Sequence, residues 1–542
     1  MEKQVSIHLK RFNIYSSLTL NINDQEICFD PAKIRKEDLK NMNPDMIFIS
    51  HESMDHMDPS QVYYIQKKKN CPIFCSIAVA VDLIQYFSLD LDFIDNIIVM
   101  VPGSMCLYNN IRISSVQSIH CDYMVPIVFR IDFQRFGVSI LHCFDSHISP
   151  DIIRLSQGTT LAIIPIGIAK GISAKTGFDF VSQLHSTYFV TNHFKDEKDL
   201  AAFYQLIQNT SVIEQCFLVN WNQTCNISLP IKDHTQHHIK SAHQDSNKEF
   251  ISTHSKFSKN FLTNFFVLLW QQGCQFIEDD TMIPSLLHSY RSVDAEEKQL
   301  ILAIATLLCL LYSHLVSDVF IANVQEDLSR SSAEVGVNLK SMILFFLGIC
   351  AQKKHKLFHL PHILSMVDKE DDHINYWIVE YLGRSATLED DQSIKIFMTI
   401  IKTPMLYHSV VVRRKIFWEI YRIVKYCPQI SAQFIQVLEE GLADDNPDVR
   451  LLAILCMRLV NRTDRLTSVQ IKQIVLLFDD PEDDVKETAV RVIGYLYKNH
   501  SEEIIKNLDR IKELTEDENC HVRIAAEESY KYLTSISKTI LT

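Results

Sequence analysis

The sequence predicts an α/β domain followed by an all-α repeat domain, and three observations carry that reading. Over residues 1–230, short apolar runs of strand length alternate with turn residues and a few helical patterns. From about residue 260 the strand signals stop and 3.6-residue periodicity takes over. In the last third a short phrase recurs about every 37 residues. At roughly 100–200 residues per domain, a chain of 542 residues has more than one core. Gly 12 and Pro 15 are too few for a fibrous or largely disordered chain, and they favour helix.

The strands come in order. Val5–Phe12, Ser17–Asn21 and Glu26–Phe29 open the chain, with Asn23-Asp24 as the turn between the second and third. Met46–Ser50 reads as a buried strand because it is a short, continuous apolar run. Pro72–Ser76, Ile97–Val101 and Ile111–Ile119 follow. Ile127–Phe133 and Val138–Phe144 form a hairpin around Gln134-Arg135-Phe136-Gly137, and Leu161–Ile166, Tyr188–Thr191 and Cys216–Trp221 complete the set. Helical patterns intervene at Gln61–Lys68, Ala78–Phe87, Phe178–His185 and Leu200–Gln208. Strands interleaved with helices make a mixed, layered domain over residues 1–230.

Residues 231–259 are polar and His-rich (His234, His237, His238, His243, His254), a solvated linker with metal buffering as the minor reading. Residues 260–542 are helical. Asn446-Pro447-Asp448-Val449-Arg450 recurs as Glu482-Asp483-Asp484-Val485-Lys486 and as Asn519-Cys520-His521-Val522-Arg523. Fainter copies stand at Val412-Arg413 and Asp372-His373-Ile374. Acidic residues and Pro suit a helix start, where N–H groups are unpaired and the dipole end is positive. Ala453, Ala489 and Ala525 are small enough to sit between neighbouring repeats. This period marks an α-solenoid and resembles HEAT repeats, which implies a protein partner bound along the helical surface.

Charge and thiols narrow the function classes. Residues 1–250 carry 21 Lys and Arg against 26 Asp and Glu, and the remainder 32 against 40. Neither half has the positive footprint of a phosphate-tracking protein, so nucleic acid is an unlikely partner. The 14 cysteines lack disulfide-framework spacing and read as reduced cytoplasmic thiols; a structural zinc at Cys71 and Cys75 is the minor reading. The N-terminus has no apolar signal-peptide core. Leu300–Val316 is the most apolar stretch, short for a membrane span, and reads as a buried helix.

The chemistry concentrates at Met46-Ile47-Phe48-Ile49-Ser50-His51-Glu52-Ser53-Met54-Asp55-His56. Imidazoles and a carboxylate directly after a buried strand suit a divalent metal, because the strand fixes the ligands. Further motifs stand in order: Phe29-Asp30-Pro31, Val116-Gln117-Ser118-Ile119-His120, Phe144-Asp145-Ser146, Ile164-Pro165-Ile166-Gly167 and Val190-Thr191-Asn192-His193. With these, residues 1–230 resemble metallo-β-lactamase-fold hydrolases, of the branch similar to ascorbate-phosphate lactonase and the N-acyl phosphatidylethanolamine phospholipase D enzymes.

The resemblance implies an αββα sandwich and two metal positions sharing Asp145. One would draw on His51, a His at position 53, and His120; the other on Asp55, His56 and His193. Ser53 departs from that pattern, and a hydroxyl is a poor zinc ligand. One tight divalent ion, by this resemblance zinc, is therefore expected, with Asp55 and Asp145 as the catalytic carboxylates. His142 and His147 flank Asp145 as substitutes for the missing His. Lys170 and Lys175 follow Gly167 at the implied pocket rim and would receive a small anionic substrate. The expected function is metal-dependent hydrolysis of a phosphoester or lactone. The alternative is a non-catalytic or sensing domain, with the solenoid as an interaction scaffold and Ser53 as its signature. A nuclease reading stands third, against the acidic charge.

Overall fold

The computed structural model describes residues 4–119, 125–167, 172–194, 197–220, 223–230, 259–272, 282–330, 335–367, 371–386, 391–403, 407–462, 466–496 and 500–541. The chain divides into two compact units, Met1–Leu307 and Leu308–Thr542.

In the first unit the alternating apolar runs form two seven-stranded sheets. The first contains β1 (Gln4–Arg11), β2 (Leu18–Ile22), β3 (Gln25–Phe29), β4 (Met46–Ile49), β5 (Ile73–Cys75), β6 (Ile97–Val99) and β14 (Thr224–Pro230), in the order β14-β1-β2-β3-β4-β5-β6. The second contains β7 (Met105–Tyr108), β8 (Ile111–Gln117), β9 (Ile127–Phe133), β10 (Val138–His142), β11 (Leu161–Pro165), β12 (Tyr188–Asn192) and β13 (Cys216–Phe217), in the order β13-β12-β11-β10-β9-β8-β7. Each sheet is antiparallel through its hairpins and then parallel, from β3 to β6 and from β10 to β13. Asn23 and Asn109, with Asp24 and Asn110, take positive φ at two-residue turns, which twists those hairpins in the hand the sheet needs. The sheets meet in one core, where Leu20, Ile27, Phe48 and Phe74 pack with Ile113, Phe129, Ile131 and Val190. A second apolar layer, with Phe180 and Phe203 of helices Ala174–Gln183 and Glu197–Ile207, lies against Leu141, Ala162 and Ile164.

β7, β14 and the short helices Lys36–Asn41 and Pro150–Leu155 have no strong periodic signal and are additions to the sequence reading. Helix Lys259–Gln272 packs on β6 and β7. Val267 enters the core between the sheets, and Asn264 accepts a hydrogen bond from the Met105 N–H at 3.0 Å. A fragment ending near residue 240 loses these contacts. It is expected to melt at least about 6 °C below one ending near residue 312, since each buried apolar side chain contributes about 1.5–3 kcal/mol and each kcal/mol moves Tm by about 2–4 °C at this size. Equal melting temperatures by calorimetry would show that this helix adds nothing to the first unit.

In the second unit, helices Val337–Lys354, Asp372–Ser385, Val410–Tyr426, Pro447–Val460, Asp483–Leu496 and Cys520–Leu541 each pack on the next. The recurring positions share one chemistry. Val449, Val485 and Val522, and Ala453, Ala489 and Ala525, are all fully buried. Asp444, Asp480 and Asp517 each accept a backbone hydrogen bond from two residues on. Each also receives the cation of the preceding copy: Arg413 on Asp444 at 2.9 Å, Arg450 on Asp480 at 2.7 Å, Lys486 on Asp517 at 3.3 Å. Asn446 and Asn519 cap their helices through the side-chain oxygen. Ile301 to Leu310 of the apolar stretch lie buried in helix Ala295–Leu311. No helix among the described residues is long and apolar enough to cross a membrane.

Candidate metal centre

The site is built on the loops that leave β4, β10 and β12. Met46–Ile49 is buried along its whole length, so the chain leaves it at a fixed point. Ser53 then closes a tight turn, its carbonyl accepting from the His56 and Met57 N–H groups at 2.9 and 2.7 Å. Asp58 caps the following helix, Pro59–Lys69, with Pro59 in the first turn. The turn is therefore held at both ends, and His51, Asp55 and His56 project from it.

Three imidazoles are oriented by a second partner. The Nδ1 of His56 donates to Asp30 at 2.6 Å, that of His193 to the Gly167 carbonyl at 3.1 Å, and that of His51 lies 2.9 Å from the Ser50 hydroxyl. Each ring thus turns its Nε2 inward, the arrangement that fixes metal-binding histidines. The ligand atoms of Asp55, His56 and His193 lie within 4.8 Å of one another, and so do those of His51, His56 and Asp145. The His56 and His193 Nε2 atoms are 3.3 Å apart, and His56 Nε2 is 3.6 Å from Asp55 Oδ2 and 3.5 Å from Asp145 Oδ2. Ligands about 2.0–2.2 Å from a tetrahedral ion are separated by about 3.3–3.5 Å, so the spacing of His56 Nε2 from each of these partners is that of two ligands on a shared ion. His51 Nε2 stands 3.7 Å from Asp145 Oδ2, and the His51 and His56 ring centroids are 4.1 Å apart. The residues present fit a divalent metal in two overlapping groups, Asp55, His56 and His193 on one hand and His51, His56 and Asp145 on the other, with His56 shared.

The electrostatics agree. Burial disfavours the charged form of His56, but Asp145, Asp55 and Asp30 outweigh it and push its pKa up to about 9. The site draws positive charge. Burial opposes ionisation of Asp55 too, yet His56, Lys33 and His193 hold it below the usual carboxylate range. Burial lifts Asp30 to about 6 in spite of His56, and burial lowers His193.

Strain gathers here. Asp30, Phe144 and His193 have φ of 42°, 51° and 51°, the left-handed region that costs a side chain about 1–2 kcal/mol. Phe144 is held by its N–H donating to His142 Nδ1 at 2.9 Å. His142 does not join the ligand groups: its ring is packed between Phe144 and Phe29, at 3.9 and 4.6 Å between centroids. His147 is also outside those groups.

Ser53 donates to Asp55 Oδ1 and so orients the carboxylate. Lys175 pairs with Asp179 at 2.7 Å on an exposed helix face, as a solvated surface lysine does. His120 and Lys170 lie outside the described residues. Cys71 and Cys75 are buried free thiols, both raised by burial, Cys71 to about 12. Asp30 was legible only as part of an Asp-Pro step; its contacts to Ser50 and His56 span 20 and 26 residues. Lys33 and Tyr15 carried no sequence signal and stand beside Asp55 and His193.

Several solved structures are similar to part of the chain. A metallo hydrolase from the archaeon Ignicoccus hospitalis is 19% identical over 41% of this chain and 98% of its own, with a TM-score of 0.35. A metallo-β-lactamase-fold protein from Bacillus subtilis is 13% identical over 41% of this chain and 100% of its own, with a TM-score of 0.34. The short form of human tRNase Z is 13% identical over 42% of this chain and 100% of its own, with a TM-score of 0.32. No protein-family model matches the chain, and no curated protein matches it.

Proposed function

We propose that the first unit is a metallo-β-lactamase-type, metal-dependent hydrolase of a small anionic substrate, a phosphoester or a lactone, and that the repeat unit binds a protein partner in the cytoplasm. The observation that carries the reading is the convergence of Asp55, His56 and His193 in one ligand group and of His51, His56 and Asp145 in a second that shares His56, with Nδ1 of each imidazole occupied elsewhere. A divalent ion, zinc by its ligand set, acidifies water to a pKa of about 7 and draws charge off an ester oxygen. The chain's own residues do the rest. Asp30 keeps the proton of His56 on Nδ1 and so leaves Nε2 as the donor atom. Asp55, whose side chain is 26% exposed, is the carboxylate that faces solvent and receives a proton there. Ser53 fixes which Asp55 oxygen is available.

Ser53 also favours a second reading, a non-catalytic or sensing domain, because it removes a ligand from the His51 side. Elemental analysis and a panel of chromogenic phosphodiesters and lactones decide between them. The full chain is expected to hold about one tight ion, and Ser53→His about two, with hydrolysis rising about tenfold or more as a second ion clamps the ester oxygens. More metal without more turnover favours the sensing reading. No change in metal sinks the assignment of His51 to a metal position.

A further inference from the structure

We infer that Lys33 and Tyr15 form an anion-recognition subsite beside the metal centre, which takes a phosphate-type oxyanion of the substrate. The inference rests on the hydrolase reading and names the substrate class within it. Lys33 Nζ donates to the Tyr15 hydroxyl at 3.0 Å and lies 4.2 Å from the ring centroid. The Tyr15 ring meets the His193 ring edge-on at 5.9 Å. The Lys33 charge reaches Asp55 strongly enough to help keep it ionised. An ammonium and a phenol thus stand beside two residues of one ligand group, Asp55 and His193.

The two segments are built to stay there. Asn13 accepts from the Tyr15 N–H at 2.9 Å and donates to the Ala32 carbonyl at 2.8 Å, which ties the Tyr15 loop to the residue before Lys33. Arg11 is fully buried, and its guanidinium donates to the carbonyls of Val219, Asn13 and Ile14 at 2.9, 3.2 and 3.1 Å. It lies 4.2 Å from the Phe194 ring, and the Phe194 N–H donates to the Ile14 carbonyl at 2.9 Å. A buried guanidinium is costly, and here it fastens the Tyr15 loop to the strand end that carries His193. Lys33 itself is solvent-exposed with a φ of 51°, a conformation rarely adopted without Gly. Phosphate oxygens match this arrangement: a point charge and a hydroxyl on one side, the ion on the other.

The test is calorimetric binding of inorganic phosphate to the full chain, metal-loaded and metal-free, with metal content measured on each sample. Lys33→Gln is expected to weaken phosphate binding about tenfold with metal content unchanged, Tyr15→Phe about threefold, and Lys33→Arg to restore most of the loss. For a phosphodiester, KM is expected to rise in Lys33→Gln by a larger factor than kcat falls. Unchanged phosphate affinity in a folded, metal-loaded Lys33→Gln protein overturns the subsite. A joint fall of metal and phosphate also overturns it, since Lys33 then serves Asp55 alone. If no ion binds at all, the hydrolase reading fails separately, and loss of phosphate binding by metal-free Lys33→Gln still supports the subsite.

Discussion

Loading the metal-free protein with a divalent ion at pH 7.5 is expected to release about one proton per ion, and His56→Ala to lose both the ion and the proton. In the metal-free site His56 titrates near 9, because Asp145, Asp55 and Asp30 overcome its burial. At pH 7.5 it is protonated, and its Nδ1 proton stays in the hydrogen bond donated to Asp30. The Nε2 proton must leave before that atom binds an ion. Asp55 is ionised already and His193 is already neutral, so neither adds a proton. The sign follows. Metal affinity falls about tenfold for each pH unit below 9, and proton release disappears above it. Calorimetry in buffers of different ionisation enthalpy reads the proton count. Tight binding with no proton released at pH 7.5 would contradict the charge balance described for His56. Because His56 belongs to both ligand groups, its removal is expected to cost more than the about 10–100-fold in affinity or activity that follows loss of a residue which only orients a ligand.

The site was legible to the extent that its chemistry is local. His51, Asp55 and His56 share one turn after one strand, and Asp145 and His193 each end a strand of their own, so motif and order sufficed. The repeat was legible for a similar reason, since Val449, Val485 and Val522 recur at a fixed spacing. What escaped is carried by contacts between distant segments. Helix Lys259–Gln272 has an ordinary amphipathic pattern, and no pattern tells whether its apolar face meets a sheet or another helix; Val267 meets the sheets. Ser53 reads as a lost ligand, yet its hydroxyl turns to Asp55, two residues away, a choice set by the turn geometry. Lys33 and Tyr15 are 18 residues apart and meet only because Asn13 and Arg11 fold their segments together. Buried charges in the helical unit escaped as well, since Lys415 and Glu419 look like an exposed i,i+4 pair in sequence.

Those buried charges set the largest stability effect expected in the second unit. Lys415, from helix Val410–Tyr426, pairs with Glu380 of helix Asp372–Ser385 and with Glu419 at 3.0 Å. Glu380 also pairs with Arg384, and Glu419 with Arg422. All five side chains are at most 5% exposed, and they alternate in sign with Lys415 at the centre. Burial disfavours Glu380 as an anion, but Arg384, Lys415 and Arg422 hold it well below the usual range. Burial raises Glu419, which Arg422 offsets in part. Gly383 leaves the space that Glu419 fills, so the packing commits the carboxylate to this place. Lys415→Met keeps the apolar stem and removes the charge, leaving two buried carboxylates facing each other with one Arg apiece. A loss of about 3–5 kcal/mol is expected, as for other buried pairs broken on one side. Lys415→Arg is expected to recover part of it. Glu380 has a depressed pKa, so its stabilisation is present above its unfolded value and fades as pH falls through the folded one. The cost of Lys415→Met should therefore shrink on acidification, when the stranded carboxylates take up protons. Denaturant unfolding of the full chain, followed through the transition of its helical part at pH 7 and pH 4.5, measures both. A cost under about 1 kcal/mol at pH 7 is what exposed ion pairs give, and would mean that these five charges remain solvated in the folded chain.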